Sequence, residues 1–276
     1  MFRPASRCAA LLYLLLALRA GAEQATLPRV VSLNPSLTEI LLALDARPAL
    51  VGVDDYSARA SSEVAGLPRV GGLFDPSLEA IVALEPDVVA LVPSAEQRDL
   101  RARLEALGIE VLVLENHTLP QLLASIEALG ARVGRAAPAR ERVAAIRRAL
   151  ADAERAAQRR PRVRAVLVLQ RDPLFLVGRG SYLDALLTAA GADNLAAEFP
   201  DAYPRVDLEW VIAAAPALIL DASEDPEPAM THWRRWPSLP AVATGRVVPL
   251  VAAEVTLPGP HLERALAILA RAVAGE

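Results

Sequence analysis

The chain has 276 residues, of which 54% are hydrophobic and 22% are charged. This composition is typical of a globular protein with room for a large core, and it excludes general intrinsic disorder. A formal net charge of −4, without any long basic run, argues against nucleic acid or an anionic lipid surface as a partner.

Residues 1–22 have the pattern of a cleaved secretory signal peptide. Arg3 and Arg7 form a positive start, Cys8 to Leu18 form an apolar run, and Ala20 to Ala22 supply small residues for a signal peptidase. The alternative is a membrane anchor, but this run is well below the ~20 residues needed to span a bilayer. Cys8 is the only cysteine and follows an arginine, which disfavours a lipoprotein. We therefore expect an exported, soluble mature chain without disulfides.

The first part of the mature chain alternates between short β-branched runs and amphipathic stretches. The pattern predicts strands at 29–33, 50–53, 87–92 and 110–114, and helices at 36–44, 77–84, 96–107 and 119–133. Such alternation indicates βα units and a mostly parallel sheet that is covered on both faces.

Residues 138–160 interrupt this alternation with one long helix. Apolar side chains recur there at helical spacing, at Val143, Ile146, Leu150, Ala153 and Ala157. Proline stands at position 138, where a helix start tolerates it, and again at 161, where it ends the helix. A helix of this length spans roughly 33 Å, about the width of a small domain, so we interpret it as a rigid connector.

The alternation resumes after the long helix. We predict strands at 163–170, 174–177, 217–221 and 247–251, and helices at 182–190, 208–214 and 260–273. Residues 222–245 are rich in proline and are interpreted as a loop with a short helix at 232–236.

The two halves also resemble each other. Ser77 to Ala90 and Asp207 to Leu220 share Leu, Glu, Ala and Pro at equivalent positions, with a matching apolar pattern. We infer two duplicated α/β lobes, at residues 23–137 and 162–276, joined by a connecting helix at 138–161.

The sequence offers little that could catalyse a reaction. It lacks the motifs of serine hydrolases, P-loop enzymes and zinc proteases, and its three histidines are scattered. We therefore expect no enzyme, no catalytic residue, no metal site and no resident cofactor. Several polar and aromatic residues instead follow strands, where open α/β sheets bind ligands; these are Asp54, Asp55, Tyr56, Ser94, His117 and Asp221.

Glu79 and Glu209 occupy the same point of the two repeated segments, just after a predicted helix start. A carboxylate there stabilises the helix dipole by ~0.3–1 kcal/mol, which needs no partner. The matched placement on both lobes also suits a dimeric partner that presents arginines.

Four segments together resemble one family, the periplasmic iron-siderophore, haem and cobalamin binding proteins. They are RVVSLNPSLTEI at 29–40, VGV at 51–53, LPRVGG at 67–72 and LEAIVALEPDVV at 78–89. The resemblance implies two Rossmann-like lobes, one long rigid helix and a ligand cleft between the lobes. It also implies a periplasmic monomer that delivers a small molecule to an ABC permease dimer, with Glu79 and Glu209 docking on permease arginines.

The closest subgroup is the cobalamin binders, because Tyr56, Phe175 and Tyr203 match aromatic cleft positions there. Leu73 and Val92 stand where that subgroup has tryptophans, and only Glu254 lies near an expected acidic and arginine pair. The candidate ligand-binding residues are therefore Tyr56, Leu73, Val92, Phe175, Tyr203 and Glu254, which the resemblance implies, and Phe74, an aromatic residue that falls in a predicted loop.

Other ligands stay open at this point. A haem protein of this family needs an axial ligand, for which Tyr56 and His117 are the first-lobe candidates. A ferric siderophore needs cleft arginines, which Arg98, Arg171 and Arg179 could supply. A secreted α/β enzyme is the alternative from another class, although fold alone does not imply function. For a binding protein, the rigid helix predicts only a small closure of the lobes.

Overall fold

The computed structural model describes residues 27–93 and 98–276. The predicted signal peptide at 1–22 lies outside the described residues, as does Ser94. Among the helices that are described, none is both long enough and apolar enough to cross a membrane.

The first lobe contains a parallel sheet of four strands in the order β2-β1-β3-β4. The strands are β1 Val30–Ser32, β2 Leu50–Val53, β3 Val88–Leu91 and β4 Glu110–Val113. The helices are α1 Pro35–Ala43, α2 Asp55–Ala60, α3 Leu78–Val82, α4 Arg98–Ala106 and α5 Leu119–Arg132. The two central strands are completely buried, since helices cover both sheet faces.

One long helix, α6 at Ala136–Ala157, follows the first lobe and has 22 residues. It begins two residues before the predicted start, because proline is tolerated throughout the first helical turn. Its buried side chains are Ala139, Val143, Ile146 and Leu150, which form the expected apolar stripe.

The second lobe contains a sheet in the order β6-β5-β8-β9, with β7 also paired to β5. The strands are β5 Val163–Arg171, β6 Leu174–Leu176, β7 Ala192–Asn194, β8 Leu218–Asp221 and β9 Val247–Pro249. The helices are α7 Tyr182–Ala189, α8 Leu208–Ala214, α9 Ala229–Trp233, α10 Pro240–Ala243, α11 Ala252–Val255 and α12 Leu262–Ala274. All pairings are parallel except β5 with β6.

The lobes pack against each other through a shared core. One apolar cluster joins Leu41 and Ile126 of the first lobe to Ile146 of α6 and to Leu183 and Leu269 of the second lobe. A polar contact supports it, since the Tyr182 amide of the second lobe donates to the His117 carbonyl of the first at 2.8 Å. A packed joint of this kind leaves little freedom for a hinge.

The structure differs from the sequence prediction in several short elements. Residues 55–60 form α2, where we expected only the end of a strand, because the Asp54 side chain caps a new helix start. The short helix predicted at 232–236 lies three residues earlier, at Ala229–Trp233, and its last residue is completely buried. Helices α10 and α11 and strand β7 were not predicted.

Candidate ligand-binding site

A cavity of about 660 Å³ lies between the lobes. Pro35, Tyr56 and Arg59 line it from the first lobe, and Leu169, Ala222 and Thr256 are among the residues that line it from the second. Most of these residues stand at or just after the carboxyl ends of strands, which is where open α/β sheets gather ligands. The predicted position of the cleft is therefore where the structure has a cavity.

Tyr56 is the aromatic side chain of the cavity wall. It lies in the first turn of α2 and is 46% exposed. The guanidinium carbon of Arg59 lies 4.7 Å from the ring centroid, so the cation covers one face of the ring. An exposed aromatic face held beside a charge suits contact with a large, flat ligand.

Helix α2 is held at the cavity by Asp54, which is completely buried. Its Oδ1 accepts hydrogen bonds from the amides of Tyr56 at 2.8 Å and Ser57 at 3.0 Å. Burial raises the pKa of the Asp54 carboxyl above its ordinary value, and the hydrogen bonds from Ser57 and Tyr56 partly oppose that shift.

The other predicted ligand residues are more dispersed. Phe74 lies in the loop before α3 and is 66% exposed. Val92 and Tyr203 pack against the shared core, and burial raises the pKa of the Tyr203 hydroxyl. Phe175 lies within β6, as the predicted strand at 174–177 implies, and its backbone forms a bridge with Arg205.

Leu73 and Glu254 complete the predicted set. Leu73 is half-buried beside Phe74. Glu254 is exposed on α11 and lines a second groove of about 570 Å³, which shares Ala253 and Leu257 with the cavity. The two hollows are therefore adjacent.

The second groove carries both signs of charge. Burial, followed by the neighbouring Glu63, raises the pKa of the Glu39 carboxyl, while Arg264 opposes this. Burial and Arg264 lower the pKa of the His261 imidazole. Because Glu39 and Glu254 face Arg264 and Arg271 across one groove, the surface favours polar contacts without a strong preference for one sign of charge.

Two of the candidate siderophore arginines, Arg171 and Arg179, do not line the cavity. Arg171 forms a buried ion pair with Asp221, with 3.0 Å between Nε and Oδ2. Arg179 donates from Nε to the Ala197 carbonyl at 2.6 Å, and the side chain of Arg98 lies outside the described residues. Nor do the described ranges contain any group of three potential metal ligands.

Glu79 and Glu209 are both exposed and lie in the first turns of α3 and α8. Over residues 27–93 and 98–276, neither carboxylate forms an ion pair or a side-chain hydrogen bond. Ser77 already caps α3, since its hydroxyl accepts from the Ala80 amide at 3.2 Å. Both acids are therefore available to a partner.

Several residues of the cavity wall were not predicted from the sequence, among them Arg59, Leu169 and Thr256. Of these three, only Arg59 could have been predicted from a local pattern. An acid at position 54 is a good N-cap, and in the helix that it begins, residues 56 and 59 are neighbours on one face. The position of Thr256 at the cavity wall depends on where α11 packs over the cleft, and no local sequence pattern indicates that.

Two sheet-containing lobes, a rigid connecting helix and a cavity between the lobes define the architecture of a solute-binding protein. Residues 30–253 match the family described as periplasmic binding protein, and the chain belongs to that family.

Several relatives have known structures or curated names. The vitamin B12-binding protein of Salmonella typhimurium is 31% identical over 199 residues, covering 71% of this chain and 73% of the relative. The periplasmic vitamin B12 binding protein of Vibrio cholerae superimposes with a TM-score of 0.76 at 25% identity, covering 90% of this chain and 97% of the other. The periplasmic haem-binding protein of Roseiflexus sp. RS-1, in its apo form, superimposes with a TM-score of 0.76 at 26% identity, covering 90% of this chain and 98% of the other. These likenesses confirm the predicted two-lobed α/β fold.

Proposed function

We propose that this protein binds a cobalamin-like corrinoid in the cavity between its lobes and delivers it to an ABC permease dimer. In this proposal the chain is exported to the periplasm, acts as a monomer, holds no resident cofactor and catalyses no reaction. The corrinoid is cargo.

The cavity itself carries the proposal. Its volume of about 660 Å³ falls in the usual range of about 300–1,000 Å³ for small-molecule sites. The adjoining groove adds about 570 Å³, which suits a ligand larger than an ordinary metabolite. Pro35, Leu169 and Ala222 give the cavity apolar walls, and Tyr56 offers a ring face to a macrocycle.

The charges of the cavity favour a ligand without a large net charge. Arg59 is the one cation on the described cavity wall, and Glu224 opposes it from the second lobe. A ferric siderophore with several anionic groups would need an excess of cations, whereas Arg264 and Arg271 of the adjoining groove are balanced by Glu39 and Glu254, and Arg171 is already paired with Asp221. The vitamin B12-binding proteins among the relatives support the same choice.

Haem is the second candidate, and one observation favours it. Tyr56 is an exposed tyrosine beside Arg59, and a tyrosinate can serve as an axial ligand of haem iron. A haem-binding protein also stands among the structural relatives.

Two variants of Tyr56 separate these ligands. Tyr56→Phe keeps the ring and removes only the hydroxyl, so it should retain cyanocobalamin at close to wild-type affinity. Tyr56→Ala removes the ring surface and should bind about tenfold more weakly, which corresponds to ~1.4 kcal/mol.

Gel filtration followed by absorption spectroscopy would measure both variants. If the wild-type protein retains haemin instead, and Tyr56→Phe changes the Soret spectrum, the ligand is haem and the corrinoid proposal is wrong. If it retains none of cyanocobalamin, haemin and a ferric siderophore, but hydrolyses substrates of an esterase or phosphatase panel, the binding proposal fails.

Docking on the permease is assigned to Glu79 and Glu209. The support is that each is exposed, each lies in the first turn of a matching helix, and neither is used by a described neighbour. Two acids on separate lobes can bind the arginines of a two-fold symmetric partner.

A further inference from the structure

The first lobe contains a buried chain of four polar side chains directly behind the cavity wall. Its members are Ser32, Thr38, Asp54 and Ser57, and each is at most 1% exposed. They come from β1, from α1, from the residue after β2 and from α2, so one network joins four neighbouring segments.

The contacts run in sequence. The Ser57 hydroxyl donates a short hydrogen bond to Asp54 Oδ2. Ser57 Oγ lies 2.9 Å from Thr38 Oγ1, which donates to Ser32 Oγ at 2.9 Å. In addition, the Asp54 amide donates to the Ser32 carbonyl at 3.0 Å. Strand β1 therefore anchors α2 through side chains as well as through the sheet.

Helix capping alone does not account for an acid at position 54. Capping uses only Oδ1, whereas Oδ2 is used by Ser57. The other helices, α and 3₁₀, that are capped by a side chain in the described chain use neutral residues, namely Asn34, Ser77, Thr118, Ser181 and Asn194. A buried carboxyl without a cation partner in the described ranges lowers stability relative to a neutral cap. Such a cost is typical of positions that serve a function.

Helix α2 needs this support because it has few other anchors. It has only six residues, too few to be stable alone, and its only buried side chains are Ser57 and Ala58. Its other side chains include Tyr56 and Arg59, which form the cavity wall. The location of the ring therefore depends on the polar network more than on apolar packing.

We propose that Ser32, Thr38, Asp54 and Ser57 are positioning residues that fix the Tyr56–Arg59 pair for ligand binding. This inference rests on the proposed function, because it concerns affinity for the ligand of the same cavity. None of the four side chains lines the cavity, so each acts only through α2.

Ser57→Ala is the most informative variant. It removes the central hydroxyl but leaves both backbone contacts to Asp54, and alanine has a higher helix propensity than serine. A loss of affinity therefore cannot come from a weaker intrinsic helix. Thr38→Val breaks the neighbouring link with little change of shape. Ser77→Ala is the matched control, because it removes the cap of α3, which does not line the cavity.

Affinity for cyanocobalamin should fall about tenfold in Ser57→Ala, as expected for loss of one to two hydrogen bonds, and stay unchanged in Ser77→Ala. In a Tyr56→Ala background, Ser57→Ala should cause little further loss, because the ring that it positions is absent. Wild-type affinity in Ser57→Ala, or an equal loss with and without the ring, would overturn the proposal.

Hydrogen–deuterium exchange without ligand gives a second readout that does not depend on which ligand binds. Amides of residues 57–60 should exchange faster in Ser57→Ala and Thr38→Val, while those of α3 keep wild-type rates. Unchanged exchange in α2 would refute the positioning role. Failure of the wild-type protein to bind cyanocobalamin would instead refute the proposed function, and exchange would still decide the role of the network.

Discussion

Asp221→Ala should strongly destabilise the second lobe, because it leaves a buried cation without its partner. The side chains of Arg171 and Asp221 are 4% and 0% exposed. Asp221 Oδ2 accepts from Arg171 Nε at 3.0 Å and from Trp233 Nε1 at 2.7 Å, so both donors lose their acceptor in the variant.

The size of the effect follows from these contacts. Removing one partner of a buried ion pair typically costs about 3–5 kcal/mol of unfolding free energy. In the variant, Arg171 keeps one hydrogen bond, from Nη1 to the Glu227 carbonyl at 2.6 Å, and this contact favours a loss at the lower end of that range. The Trp233 indole, in contrast, is completely buried and has to stay unpaired. We expect a loss of about 3–4 kcal/mol.

Urea denaturation followed by circular dichroism would measure this change. Asp152→Ala is the matched control, since Asp152 pairs with Arg155 on the surface and both side chains are 67% exposed. That control should change stability by no more than about 0.5 kcal/mol. A loss below about 1 kcal/mol in Asp221→Ala, or one equal to the control, would refute the account of the buried pair.

The remaining predictions concern packing, pH and docking. Gly178→Ala should lower the unfolding free energy by about 1–3 kcal/mol in urea denaturation, because an added Cβ would overlap with the Asp201 carbonyl. Gly66→Ala is the control and should leave the unfolding free energy unchanged, because open space surrounds Gly66. Equal effects of the two variants would contradict the packing argument. The raised pKa of Asp54 favours its protonated form in the folded state. Its contribution to stability is therefore full below the ordinary aspartate pKa and is lost as the pH rises through the raised value. Asp54→Asn should lack this part of the pH dependence of the urea midpoint, and an unchanged profile would contradict it. Reversing Glu79 and Glu209 to arginine should abolish import into cells while leaving cyanocobalamin binding intact; reduced binding would make both residues structural.

The regular elements of both lobes could be predicted because their patterns are local. Apolar runs such as those of β3 and β8 are buried on both faces, and the stripe of α6 has helical spacing over 22 residues. Duplicated segments at Ser77 and Asp207 then indicated two lobes. The short helices were harder. Helix α2 depends on one capping side chain, and α9 on the burial of Trp233, which is decided by packing over long sequence distances.

The candidate site was predicted only in part for the same reason. Tyr56 lies two residues after the cap at Asp54, so its place near a strand end was evident from the sequence. Glu254 was placed in the ligand set by resemblance and Phe74 by its place in a predicted loop, and the structure puts Phe74 in an exposed loop and Glu254 in the adjoining groove. Leu169 and Thr256 meet the first lobe only through the geometry of the lobe contact. The assignment of Phe74 and Glu254 as ligand contacts stays a prediction.

Titration calorimetry with cyanocobalamin tests the central claim most directly. The exported protein, purified from the periplasm, should bind one cyanocobalamin per chain with a negative heat-capacity change, because apolar walls are buried by the ligand. Haemin and ferric siderophores should give no comparable heat. Absence of cyanocobalamin binding, together with saturable binding of haemin or a ferric siderophore at the same stoichiometry, would contradict the account.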